Sequence, residues 1–420
     1  MVNKTGSNGI NNGKVPPDEK LEKTLHDFAR RQLSVEFRLK ELDRIYGYTI
    51  SKRTLTSLNK KFQVPSVRKP PPLPVVTALV AEKIAEDTIG RHGPSTIQKQ
   101  LARENGMLIP RDTIRAVAAT IDPEGPERRF PGRKKPVKPR GQLKATGIME
   151  EVHCDGHEKL GAKALMMGEV GIPIYGFRDH TGKILHLAVI PNDRCPITIG
   201  HVFLDFTDKT GESAIQLTFD KGTETGLMQA LQQALRRLLW PEFSELERPS
   251  TVALKSTDNI PIESLWKYWL DYAGHNIKMT ILDGHERGLF ASGNPTHVHL
   301  FQWLWPRIVQ QHLDLFQDYF NTTPRRKQQA KNLPTAAPEM VWNYPEEYGL
   351  ERCGTEVPPG LVSELRGQYL ERPREDVMRW VPDDFDEIAT AVYKTIGEPP
   401  LHYSTGWSTY NSMLAVIQDL

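Results

Sequence analysis

The stretch "IQLTFDKGTETG", residues 215–226, decides how the chain reads. Ile215, Leu217 and Phe219 alternate with polar residues, the period of a strand with one face buried. The run ends in a carboxylate, Asp220, set against a turn of Lys221 and Gly222. A strand that delivers an acid onto a glycine turn is expected to present a ligand at the carboxyl edge of a sheet.

Working outward, "GLMQALQQALRRLL" has helical periodicity, "STVALKS" reads as a following strand, and "TDNIPIESLWKYWLDYAG" opens as a polar loop and becomes a helix. Leu265, Trp266, Trp269 and Leu270 face a core from that helix, and Glu263 falls on its first turn. Upstream, "IMEEVHCDGH" is a short strand approaching Asp155. "IPIYGFRDH" and "KILHLAVIP" are two strands joined by a turn at 179–182, and a helix follows Pro196. The expected class is α/β, with a mixed five-stranded sheet flanked by helices.

Three acids therefore occupy distinctive places: Asp155 in the first strand, Asp220 at the end of the fourth, and Glu263 on the helix after the fifth. Neighbouring strands can bring the first two together while the helix supplies the third. Two divalent cations about 4 Å apart need shared carboxylates, and such a pair serves phosphoryl transfer. Each acid also has a plainer reading, as a turn cap beside Gly156 or Gly222, or as a helical partner of Lys267.

The combination of "HCDGH", "TFDKGTETG" and "STDNIPIESLW" resembles the integrase core domain of DDE transposases and retroviral-type integrases, in the form found in integrase-core proteins of fungal and animal genomes. The likeness spans residues 146–320. It implies a ribonuclease-H-like catalytic core that cleaves and joins DNA with two Mg²⁺ or Mn²⁺ ions held by Asp155, Asp220 and Glu263. It further implies that Lys255 and Asn259 face DNA near the active-site loop, and that the chain works as a homo-oligomer on DNA ends. One departure stands out: Ile260 and Pro261 occupy positions where related sequences often have a polar and a basic residue. A DNA-binding protein that keeps the fold without catalysis, and a metal-dependent nuclease, are the alternatives.

Charge points the same way. The net charge is +2, yet residues 1–145 hold 29 Lys and Arg against 15 Asp and Glu, a balance of +14, and the remainder is −12. A basic segment of that kind is expected to meet a polyanion, here duplex DNA. "GYTISKRTL" from Gly47 aligns with "GMLIPRDTI" from Gly106, a weak repeat of one helix-turn-helix-like unit over 21–66 and again over 77–122. Val35, Leu39, Leu42 and Ile45 are the expected apolar stripe before the first turn; Ser95 and Gln98 suggest a capping box before the second. The helix after Ser51 places Lys52, Arg53, Lys60 and Lys61 around Leu55, Leu58 and Phe62, a layout suited to the major groove, and Arg111 is the counterpart in the second unit.

Residues 1–20 read as a disordered tail and 67–76, "VRKPPPLPVV", as a polyproline spacer. The linker 123–145 contains Arg133, Lys134 and Lys135 within a run of seven bases and no acid, suited to phosphates or to nuclear import, so a nuclear location is expected. Residues 321–420 show no motif. No apolar run is long enough to span a membrane, and three scattered cysteines fit a reducing compartment better than a disulfide framework.

Overall fold

The computed structural model describes residues 13, 15–129, 146–255, 258–325 and 333–419. The chain forms two compact units, 1–137 and 138–420.

The first unit is helical, and its two aligned segments share their local backbone conformation. Helices α1 (Asp18–Arg30), α2 (Val35–Tyr46) and α3 (Lys52–Lys61) are followed by α4 (Leu73–Glu86), α5 (Pro94–Glu104) and α6 (Arg111–Ile121). The aligned glycines, Gly47 and Gly106, both adopt left-handed backbone, at φ +60° and +66°, with open space around them. Conformation rather than crowding requires glycine there. The aligned Ser51 and Pro110 are the N-caps of α3 and α6, and Ser51 Oγ accepts the Thr54 amide at 3.1 Å.

Local expectations differ from the structure at four points. Val35 and Ile45 are 46% and 45% exposed; α2 buries Leu42 as expected, together with Phe37. No capping box forms at Ser95: α5 begins at Pro94 behind Gly93, and Gln98 Nε2 donates to the Ile109 carbonyl at 2.7 Å. The longer amide side chain gains more by tying α5 to the segment before α6 than by capping its own helix. The polyproline spacer ends early, because Pro72 is the N-cap of α4 and Pro74 sits in its first turn, where a missing amide hydrogen costs nothing. Helix α1 likewise begins inside the stretch read as tail.

In the second unit the strands β1 (Glu151–His157), β2 (Ile174–Asp179), β3 (Ile184–Val189), β4 (Gln216–Asp220) and β5 (Thr251–Leu254) make a five-stranded mixed sheet in the order β3-β2-β1-β4-β5. β1–β2 and β2–β3 pair antiparallel, whereas β1–β4 and β4–β5 pair parallel. Both faces are covered. Val152, Cys154, Phe177, Leu217 and Phe219 pack with α7 (Pro196–Thr210) and α8 (Gly226–Leu239). Ile174, Leu187 and Val189 pack on the other face with α9 (Ile260–Trp269), α10 (His275–Glu286) and α11 (Pro295–Thr322).

The edge strand β3 would expose unpaired backbone, and α11 covers it. Asn321 accepts from the Ile184 amide at 2.9 Å and donates to its carbonyl at 2.8 Å. Gln310 does the same one strand-length away, accepting from Val189 at 2.8 Å and donating to Leu187 at 3.2 Å. The segment beyond residue 320 joins these cores: α12 (Leu361–Tyr369) buries Val362 and Leu365 with α7 and α8, while α13 (Asp383–Thr395) and α14 (Tyr403–Gln418) pack on α11. Trp303 and Arg307 of α11 both donate to Asp386 of α13, at 2.9 and 3.0 Å.

Candidate active site

Strand β1 sorts its side chains by parity. Val152 and Cys154 enter the core, and Glu151, His153, Asp155 and His157 share the opposite face. Because β1 runs parallel to β4 with His153 beside Thr218, the same offset carried two residues further sets Asp155 beside Asp220. Helix α9 brings Glu263 on its first turn, and carboxylate oxygens of Asp155, Asp220 and Glu263 all lie within 4.8 Å of one another.

Asp155, Asp220 and the turn that carries Glu263 are held from outside the cluster. Trp266 Nε1, one turn after Glu263, donates to Asp155 Oδ2 at 2.9 Å. Its ring stacks on His157 with centroids 4.8 Å apart, and it leaves no room at Gly176, where an added Cβ would stand 2.7 Å from the indole. Gly176 pairs directly with Asp155 across the β1–β2 ladder, so the bare position in β2 is what lets Trp266 reach the carboxylate. Arg178 donates to the Pro261 carbonyl and to Ser264 Oγ, the latter at 2.8 Å, which ties β2 to the turn that carries Glu263.

Asn259 is 0% exposed and does not reach outward as the resemblance implied. Its Nδ2 donates to the Cys154 carbonyl at 3.3 Å and to Asp220 Oδ1 at 3.4 Å, and its Oδ1 meets His153 Nδ1 at 2.8 Å. Burial between two strands makes it a brace for Asp220, and corrects the DNA-facing assignment. Pro261 is buried at the start of α9, while Ile260 is 59% exposed.

Burial pushes the Asp155 carboxyl up to about 7; the Trp266 bond opposes that rise, and the neighbouring charges of Asp220 and Glu263 add to it. A cluster with this donor set, all oxygen and short of positive charge, suits Mg²⁺ or Mn²⁺. Beside it, burial pushes the His153 imidazole down to about 4, so it is neutral at pH 7. Burial acts to raise Glu151, but hydrogen bonds from His180 and Thr218 outweigh it and hold the carboxylate below its ordinary range.

The acids open onto a cleft of 1160 Å³. Seven carboxylates line it, against the four bases Lys159, Lys163, Arg194 and Lys221, so the cleft without cations repels a polyanion. Lys255 lies exposed just past β5.

In the helical unit, Arg53, Lys60 and Arg111 are exposed. Lys52 Nζ lies 2.9 Å from Glu36, and Lys61 Nζ lies 2.5 Å from Asp18, both as exposed pairs. Arg133, Lys134 and Lys135 lie outside the described residues. His297 and His299 pack against Phe290 and Tyr410 and against Phe385.

Residues that sequence reasoning missed are Trp266 as a carboxylate donor, His153 and Glu151. The signal for the last two was present: the polar positions 151, 153, 155 and 157 recur at period two around an expected ligand. No helix among the described residues is long and apolar enough to cross a membrane. No protein-family model matches the chain, and no curated protein matches it.

Proposed function

We propose that the protein is a DDE-type polynucleotidyl transferase with a ribonuclease-H-like core, which binds duplex DNA ends and performs metal-dependent phosphodiester cleavage and strand transfer. The observation that carries this reading is the convergence of Asp155, Asp220 and Glu263, from two adjacent parallel strands and one helix turn, within 4.8 Å. The sheet order β3-β2-β1-β4-β5, with the first two acids on its central neighbours, supports the fold assignment.

Asp155, Asp220 and Glu263 would hold two Mg²⁺ or Mn²⁺ ions, whose chemistry is to activate the attacking oxygen and stabilise the leaving one. The chain's own contribution is orientation. Trp266 aims Asp155, Asn259 aims Asp220, and Arg178 anchors the turn of Glu263, so the three carboxylates meet without having to be gathered during the reaction. Helices α3 and α6, each entered from a left-handed glycine turn, are assigned to DNA recognition as helix-turn-helix elements, with the basic linker on phosphates. Joining two ends calls for at least two copies on DNA, and a nuclear location is the one this reading expects.

One feature favours a DNA-binding protein without catalysis. Ile260 presents an exposed apolar side chain three residues before Glu263, where a base or amide would serve DNA better. The discriminating experiment is a cleavage and strand-joining assay with duplex ends in Mn²⁺, run beside thermal melts. The catalytic reading expects products from the parent, none from Asp220→Asn, and a Mn²⁺-induced rise in melting temperature only for the parent. A metal-dependent rise without products from any supplied end would favour the non-catalytic reading, and no metal response at all would remove the metal site.

A further inference from the structure

A second cluster lies beneath the three acids, on the same face of the sheet. Glu151 and His153 project from β1, and His180 follows β2, its amide bonded to the Glu151 carbonyl at 2.9 Å. His153 Nε2 and His180 Nδ1 are 2.9 Å apart, His180 Nδ1 and Glu151 Oε2 are 3.1 Å apart, and His153 Nε2 and Glu151 Oε1 are 3.4 Å apart.

Hydrogen-bond geometry fixes which ring atoms face the centre of this triangle. Asn259 Nδ2 faces two acceptors, the Cys154 carbonyl and Asp220, so the amide orientation is settled and its Oδ1 must accept from His153 Nδ1. With Nδ1 donating to Asn259, Nε2 is the ring nitrogen that His153 turns toward Glu151 and His180. His180 turns Nδ1 toward the same point, while its Nε2 is buried with no hydrogen-bond partner among the described residues. Two imidazole nitrogens and a carboxylate thus converge within 4.8 Å of one another.

We infer that Glu151, His153 and His180 form a zinc site, separate from the proposed site of the three acids and independent of that reading. Two imidazole nitrogens and one carboxylate are a zinc donor set, whereas Mg²⁺ prefers oxygen alone. A tetrahedral shell with Zn–N and Zn–O distances near 2.0–2.1 Å has ligand-to-ligand edges of about 3.3–3.4 Å; the two imidazole nitrogens stand 2.9 Å apart, inside that value, and Glu151 offers Oε1 at 3.4 Å from His153 and Oε2 at 3.1 Å from His180. The outer shell is built as well. Asn259 fixes the tautomer of His153, and Thr218 Oγ1, fully buried, donates to Glu151 Oε1 at 2.5 Å and accepts from Gln216 at 3.1 Å. Glu151 retains 26% side-chain exposure, which provides an entry route. Through Asn259 the ion would steady Asp220, since the histidine it holds is the one that holds the amide.

The test uses the full chain, stripped with a chelator, re-equilibrated with Zn²⁺ and desalted before metal analysis; Co²⁺ replaces Zn²⁺ in a parallel arm for its visible spectrum. The parent is expected to retain one equivalent of Zn²⁺ and to give the intense absorption of four-coordinate Co²⁺. Asp155→Asn combined with Asp220→Asn and Glu263→Gln should retain it, His180→Gln should lose it, and Thr218→Val should weaken it about tenfold. A parent that keeps no Zn²⁺ overturns the inference. So does loss of Zn²⁺ in the triple variant, which would put the ion among the three acids, or full retention in a folded His180→Gln. Should His180→Gln fail to fold, Thr218→Val decides: parental zinc affinity there also overturns it.

Discussion

Trp266 Nε1 donates to Asp155 Oδ2 at 2.9 Å across a position in the neighbouring strand that only glycine leaves open. The bond couples the helix of one ligand to the strand of another, because Trp266 lies one turn beyond Glu263. It also supplies a side-chain donor that works against burial to keep Asp155 ionised, so its removal has a defined sign.

Asp155 should make the metal-free protein less stable as pH rises. Its carboxyl sits at about 7 in the fold against an ordinary value near 3.8, so the folded state holds a proton that the unfolded state has released. Stability from this group is complete below about pH 4 and is lost as pH rises through 7. Asp155→Asn removes that loss while keeping an acceptor for Trp266. In chelator, the variant is expected to exceed the parent by on the order of 3 kcal/mol at pH 8 and to match it near pH 4. Parallel stability curves for the two proteins across that range would refute the buried-acid account.

Trp266→Phe keeps a ring against His157 and deletes the donor. Asp155 then rises further, and the pH midpoint at which Mn²⁺ begins to raise the melting temperature should move upward relative to the parent. The lost bond to a charged acceptor is worth roughly 1.5–3 kcal/mol. A variant that melts lower but keeps the parental pH midpoint would make Trp266 a packing residue only.

The two pairs of bases on α3 should differ in DNA binding. Arg53 and Lys60 are exposed, whereas Lys52 and Lys61 already face Glu36 and Asp18. Those exposed pairs are weak, about 0–1 kcal/mol each, but they lessen what a phosphate gains. Arg53→Ala with Lys60→Ala in the full chain is expected to weaken duplex binding by roughly tenfold and to lower the salt slope by about two. Lys52→Ala with Lys61→Ala should do less on both counts. Equal effects in gel shifts at several salt concentrations would dissociate α3 from recognition.

Much of the fold was legible because its determinants are local. Alternation in "IQLTFD" and "KILHLAVIP", helical periodicity after Gly226, and glycines followed four residues later by a helix cap all act over a few residues. The placement of Asp220 at a strand end and of Glu263 on a first turn follows from the same local rules, as does the shared face of Glu151, His153, Asp155 and His157. What local pattern could not decide is which long-range partner a polar side chain finds. Asn259 read as a loop residue and is buried, since its amide answers three groups on two strands that are separated from it by 39 to 106 positions. Val35 and Ile45 read as core and are exposed, because the tertiary contact of α2 falls on Phe37 and Leu42. Gln98 read as a cap and instead bridges to Ile109. The residues past 320, blank in sequence, complete both cores, since covering an existing apolar face needs only scattered hydrophobic side chains and no motif. The elements were thus set by near-neighbour chemistry, and the bracing of the acids by packing across the sheet, where partners far apart in the chain are brought within hydrogen-bond reach.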